Sequence, residues 1–262
     1  MTLDEYFERQ QSITARAIAV ILSILFPWRQ LPISDTVWTF LLQQMFPIVD
    51  DARRQSAELS REFYDSQRFE HLGNADYNVD LAPYKYEWFE EALRPSKKTF
   101  KLIDTSEGQV AQAALRTAKE IENGGRRTTL YAVDGEQGRV GWARVATGRE
   151  TCAFCLMLVS RGPVYSNSSS GFKGTKEEAM ELLDDKGQAA LSDLMTRWHP
   201  GCDCIAVPVF DRKNWPGREQ FMEMEQLWRD VTGGFTGVDK LNAFRRALYE
   251  GQIDSADLAA AA

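Results

Sequence analysis

The sequence predicts a mostly helical α+β fold, with a helical N-terminal region over residues 1–104, a small α+β unit over 105–212 and a helical C-terminal extension over 213–262. Three observations predict it. Apolar residues recur at three- and four-residue spacing towards both ends of the chain. Two short segments near the middle alternate apolar and other residues as strands do. All four cysteines, with one of the two histidines, fall inside the middle unit.

Composition narrows the class. With 262 residues, 44% hydrophobic and 26% charged, the chain can bury a real core and is not of the disordered type. A net charge of −7 speaks against broad, sequence-independent nucleic-acid binding, which needs a surplus of Lys and Arg. The local clusters Arg94, Lys97, Lys98, Lys101 and Arg126-Arg127 read as solvated linkers rather than DNA contacts. The most apolar stretch, Ala15 to Trp28, carries Arg16 and Pro27 and falls short of the ~18 apolar residues of a membrane span. Asp4, Glu5 and Glu8 precede it where a signal peptide would carry bases. The expectation is synthesis in the cytosol and no membrane partner, a compartment in which cysteines are read first as metal ligands or reactive thiols.

Taken in order, Thr2-Leu3-Asp4-Glu5 is a capping box, and Leu3, Tyr6, Phe7, Ala17, Ile21 and Leu25 continue as a helical stripe until Pro27 and Pro32. A second helix is expected from Ser34 or Asp35, with Leu41, Met45, Ile48, Ala52, Leu59 and Phe63 on one face and a kink or restart at Pro47. The stretch from Asn74 to Lys85 is turn-rich. Gln109 to Ile121 reads as a helix that Asn123-Gly124-Gly125 should stop. Arg139 to Thr147 is a candidate strand, and Ile205, Val207 and Val209 mark a second, which Pro208 assigns to a sheet edge. Between them lie a Ser-rich loop from Tyr165 to Gly174 and a helix opened by Thr175. Asn214-Trp215-Pro216 leads into a helix carrying Phe221, Met224, Leu227, Trp228 and Val231 that Gly233-Gly234 ends. A short helix from Leu241 to Tyr249 precedes a frayed Ala-rich tail. The N-terminal stripe, with Phe26, Trp38 and Phe40 added, is more apolar than a helical hairpin needs, and by default is buried against the rest of the chain.

The chemistry is concentrated in Cys152-Ala153-Phe154-Cys155 and His199-Pro200-Gly201-Cys202-Asp203-Cys204. Ligands separated by two residues can meet one metal from a tight turn, and two such segments supply the four N and S donors that zinc prefers. The expected ligands are Cys152, Cys155 and His199 with either Cys202 or Cys204. The knuckle formed by Pro200 and Gly201 favours Cys202, whereas the strand parity of Ile205, Val207 and Val209 turns Cys204 away from their face. Both could bind if His199 does not. Five candidates for four positions point to a closed, structural zinc rather than a catalytic one with an open site. The plainer reading is four thiols buried in a small core, into which Trp142, Trp198, Trp215 and Trp228 would also pack. The deaminase pattern fails, because His199-Pro200-Gly201 stands where His-x-Glu is required and the Cys-x-x-Cys comes first. No isolated cysteine offers a nucleophile, His71 reads as solvated, and Ser166, Ser168, Ser169 and Ser170 lack an orienting base.

The run Arg144 to Cys155, then Gly162-Pro163-Val164-Tyr165, then His199-Pro200-Gly201-Cys202-Asp203-Cys204 resembles the MuF-like minor head proteins of tailed bacteriophages, the family of the F protein of phage Mu, and most closely those of actinobacterial phages. The positions matching that pattern are Thr151, Cys152, Cys155, His199, Pro200, Cys202 and Cys204, and the resemblance covers about residues 105–212. Asp203 departs from it, since Arg is common there. The resemblance implies a low-copy head protein, made in the host cytoplasm and assembled into the virion head. It would associate with portal and capsid proteins, and with phage DNA as a further candidate partner. Some relatives are described as capsid maturation proteases, an activity these residues do not support. A zinc-containing DNA-binding protein is the third class, ranked last on charge.

Overall fold

The computed structural model describes residues 1–29, 32–74, 77, 81, 84–100, 107–136, 140–147, 151–164 and 197–253. The Ser-rich loop, the helix expected from Thr175, the Ala-rich tail, Lys101 and Arg139 lie outside them. The fold is mostly helical with one small two-stranded sheet. It comprises α1 (Leu3–Leu25), a 3-10 turn (Phe26–Trp28), α2 (Asp35–Leu72), α3 (Tyr86–Phe100), α4 (Glu107–Gly135), β1 (Gly141–Val145), α5 (Ala153–Val159), β2 (Ile205–Val209), α6 (Arg218–Thr232) and α7 (Gly237–Tyr249). Two compact units are present, neither continuous in sequence. The first holds 1–65, 76–128 and 199–201, and the second holds 66–75, 129–198 and 202–262.

In the first unit, the capping box opens α1: the Thr2 amide donates to Glu5 Oε2 at 2.7 Å and the Glu5 amide to Thr2 Oγ1 at 3.2 Å. These bonds satisfy two donors that the helix start would otherwise leave unpaired. Leu3, Tyr6, Ile13, Ala17, Ile21 and Leu25 are buried at the expected spacing. Tyr6 stacks on Phe63 of α2 with ring centroids 4.8 Å apart, and Ser56 donates to Gln10 at 2.7 Å. The segment Leu3–Trp28, with a hydropathy of 1.4, is by length and composition long enough to cross a membrane, more than the sequence reading allowed. Its buried stripe against α2 is what an amphipathic core helix shows. Most of the N-terminal apolar residues are core, as expected, while Phe26 and Phe40 remain exposed.

Three expectations are corrected. Of the kink or restart expected at Pro47, the restart is excluded, because helix α2 runs through it. The cost of a Pro inside a helix, ~3 kcal/mol, is outweighed by the buried Leu41, Leu42, Met45 and Val49 on either side. The basic stretch near Lys97 is not a linker: it lies in α3, where Arg94 pairs with Glu91 at 2.7 Å and Lys97 with Asp35 at 3.1 Å. Finally, Asn123-Gly124-Gly125 does not end α4, which continues to Gly135. The glycines are there because α2 crosses at that point. A Cβ on Gly124 would collide with the Arg53 carbonyl oxygen, and one on Gly125 would lie 3.0 Å from that of Ser56. Gly125 donates to Ser56 Oγ at 3.0 Å, and Ser60 Oγ donates to the Gly125 carbonyl at 2.9 Å. Neighbouring Arg126 is buried and paired with Glu122 at 2.9 Å, not solvated.

In the second unit, β1 and β2 pair antiparallel from Gly141 opposite Val209 to Val145 opposite Ile205. Pro208, which has no amide hydrogen, faces Trp142. Val164 adds a bridge to Trp142 through backbone bonds of 3.0 and 2.7 Å. Both strands are buried along their whole length. Gln220 of α6, itself buried, accepts from the Ala146 amide at 2.8 Å and donates to its carbonyl at 3.1 Å, capping the end of β1 as a third strand would. Trp142, Trp215 and Trp228 are core, and Trp228 packs on Phe244 of α7 at 5.2 Å. His71 is half-buried and stacked on Phe210 at 5.8 Å, a packing role where solvation was expected.

Candidate metal centre

Chain geometry brings the two cysteine segments together beside β1. Cys152 is the N-cap of α5 and Cys155 lies in its first turn, so this pair is presented by a helix start rather than by the expected tight turn. Cys202 and Cys204 lie immediately before β2, the parity of which sends Cys204 away from Ile205 and towards the other sulfurs. Cys155, Cys202 and Cys204 are buried, whereas Cys152 is exposed. The sulfurs stand 3.2 Å apart for Cys155 and Cys202, 3.1 Å for Cys202 and Cys204, and 3.9 Å for Cys204 and Cys155. None of the four is in a disulfide.

Donors ~2.3 Å from a tetrahedral zinc are ~3.8 Å from one another, so a small movement of these sulfurs accommodates an ion. Cys155, Cys202 and Cys204 offer ligand atoms within 4.8 Å of one another. This cysteine cluster of the second unit could hold a metal ion, while His199, the fifth residue named from the sequence, falls in the first unit. His199 Nδ1 lies 3.1 Å from the Pro200 carbonyl. With the proton on Nδ1, Nε2 carries the lone pair that a metal would take. Hydrogen bonding with Cys152, then with Cys202 and Cys204, and then burial push the Cys155 thiol well above its ordinary range.

The sequence pattern that defines the VG15 protein family matches residues 1–231. The chain belongs to this family. Two relatives are similar over nearly their whole length. The gene 15 protein of Mycobacterium phage D29 is 37% identical over 254 residues, covering 88% of this chain and 92% of the relative. The gene 15 protein of Mycobacterium phage L5 is 33% identical over 296 residues, covering all of both chains. No solved structure matches. The family is thus one of phage proteins.

In this VG15 protein, two further residues bear on the cluster. The first is Arg144, in the middle of β1 and 1% exposed. Its Nη1 donates to Cys204 Sγ at 3.1 Å and lies 3.9 Å from Cys202 Sγ, its Nη2 donates to the Arg197 carbonyl at 2.6 Å, and its guanidinium sits 4.4 Å from the Trp198 ring centroid. The available signal was an arginine inside a short strand otherwise made of apolar residues. The second is Asp203, the departure from the MuF-like pattern. Its carboxylate accepts from Thr151 Oγ1 at 2.7 Å and its carbonyl from Thr147 Oγ1 at 2.6 Å, which fastens the two cysteine segments to each other. Nothing in the sequence pairs residues so far apart.

Proposed function

We propose that this protein is a minor head protein of a tailed phage, of the MuF-like kind, that works by interaction rather than catalysis at the portal or inner face of the head, in head morphogenesis or in the packaging or ejection of DNA. The observation that carries the reading is kinship with phage gene 15 proteins along the whole chain. A second support is local. The segments that carry the MuF-like resemblance include Cys155, Cys202 and Cys204, whose sulfurs lie together in the second unit, and Val164, which bridges to Trp142 of β1.

In this reading the cluster is a structural zinc site, one ion per chain. Three of its sulfurs are buried and lie within 4.8 Å of one another, which suits a closed structural site better than one that keeps a position open for a reacting water. Bound zinc would add its binding energy to the stability of the second unit. Portal and capsid proteins are the partners, and the virion head, after assembly in the host cytoplasm, is the location.

Gently purified, reduced protein is expected to hold about one zinc per chain by elemental analysis, and chelation should lower its Tm. Co-expression with the portal and major capsid proteins of the same phage should place it in the head fraction. Accurate cleavage of the capsid protein by the isolated chain, abolished by one Ser, Cys or His substitution that leaves the fold intact, would replace this reading with the protease. Salt-sensitive retention on DNA without head association would replace it with the DNA-binding protein.

A further inference from the structure

The four cysteine sulfurs form a connected set within the second unit. Cys152 Sγ lies within 4.8 Å of Cys155 Sγ, Cys155 lies 3.2 Å from Cys202, which lies 3.1 Å from Cys204, and Cys204 returns to Cys155 at 3.9 Å. Two consecutive donors of the second segment thus face the same sulfur of the first. A centre using only one of Cys202 and Cys204 would leave the other thiol 3.1 Å from a ligand and buried.

Arg144 adds an independent observation. A guanidinium keeps its proton under all ordinary conditions, and burying it costs several kcal/mol unless negative charge stands beside it. A neutral thiol is a weak acceptor, whereas a thiolate is a strong one carrying a full charge. Arg144 directs Nη1 at the Cys202–Cys204 pair and is locked there by the Arg197 carbonyl and the Trp198 ring. Four thiolates around a divalent ion sum to a charge of −2, which the guanidinium reduces to −1. The remainder lies towards the exposed Cys152, where water can solvate it.

We infer that the metal of this protein is held by Cys152, Cys155, Cys202 and Cys204 together, and that Arg144 is the positioning residue that orients and charge-compensates the Cys202–Cys204 pair. The inference rests on the metal reading above and assigns its ligands. Both members of the pair bind, and His199 stands outside the set.

The test is cobalt(II) substitution of the full-length reduced protein, followed by absorption spectroscopy and competition with a chromophoric chelator. Thiolate-to-cobalt charge-transfer intensity grows with the number of sulfur ligands. Wild type and His199→Ala should give the same four-sulfur spectrum. Cys152→Ala, Cys202→Ala and Cys204→Ala should each lose charge-transfer intensity and most of the affinity. Arg144→Gln should still bind one cobalt, with a shifted charge-transfer band and an affinity about ten- to a hundredfold weaker. Arg144→Lys, which keeps the charge without the fork and guards against misfolding of the Gln variant, should fall between the two. Loss of metal in His199→Ala with full retention in Cys152→Ala overturns the ligand set. Wild-type affinity and spectrum in both Arg144 variants overturn its role. If the wild type takes up neither cobalt nor zinc, the metal reading itself fails.

Discussion

The crossing of α2 and α4 offers the sharpest test of the packing argument, through Gly124→Ala. In a helix interior this change is normally favourable, because alanine gains ~1 kcal/mol over glycine. Here the new methyl would meet the Arg53 carbonyl oxygen and lie 2.9 Å from Arg53 Cγ, in a region where Gly124 is itself buried. A backbone carbonyl cannot rotate away as a side-chain end can. The helices would have to separate, and Arg53 would be drawn from the Glu120 carbonyl it donates to and from the Tyr84 ring it covers at 4.2 Å. Overpacking of this kind costs ~1–3 kcal/mol, and an unyielding neighbour places it at or above the upper end, so the net loss is about 2 kcal/mol. At ~2–4 °C per kcal/mol for a chain of this size, Tm should fall by about 4–8 °C. Thermal denaturation followed by far-ultraviolet circular dichroism measures it. An unchanged or raised Tm refutes the reasoning, since helix propensity alone would then decide the outcome.

Three other perturbations have expected outcomes. Arg68 and Glu136 form a buried two-bond pair at 2.9 and 3.0 Å, so Arg68→Ala should cost ~3–5 kcal/mol by urea denaturation, and Arg68→Met with Glu136→Leu should recover much of it; equal losses in both would refute the buried-charge account. Gly217 caps α6 at φ +87°, with a Cβ position that collides with the Val145 side chain; Gly217→Ala should lower the urea midpoint by the equivalent of ~1–3 kcal/mol at unchanged m-value. Hydrogen bonds from Arg9 hold the Glu62 carboxyl below its ordinary value, so that pair stabilises the fold above the unfolded glutamate pKa and ceases to do so as pH falls through the lowered folded value. Both side chains are about half exposed, so Glu62→Gln should cost under ~1 kcal/mol at neutral pH and nothing at strongly acid pH, as Tm measured at each pH would show.

What was legible in the sequence is what depends on near neighbours along the chain. The capping box at Thr2 and Glu5, the buried stripe of α1, the end of α6 at Gly233-Gly234 and the pairing strand at Ile205–Val209 each follow from residues within a few positions of one another. The errors share the opposite cause. Gly124 and Gly125 carry the local signal of a helix stop, but their lack of a side chain serves a contact with α2, some seventy positions earlier. Pro47 carries the signal of a kink or a restart, and the burial of its neighbours rules out the restart. At the cluster the donor types and spacing named all five candidate ligands. The charge beside them could not be read, because Arg144 acquires its meaning only when β1 pairs with β2 and Cys204 is carried to its guanidinium.

The meeting of Cys155 and Cys202 across 47 positions has a consequence for how such chains can diverge. Once two points of a chain are pinned together, the length of what lies between them matters little: doubling a loop adds only ~0.6 kcal/mol of closure entropy. Closure entropy alone therefore does little to fix how many residues separate the two anchors. The 296-residue alignment of this 262-residue chain with its L5 relative shows that residues are inserted along the chain within the family.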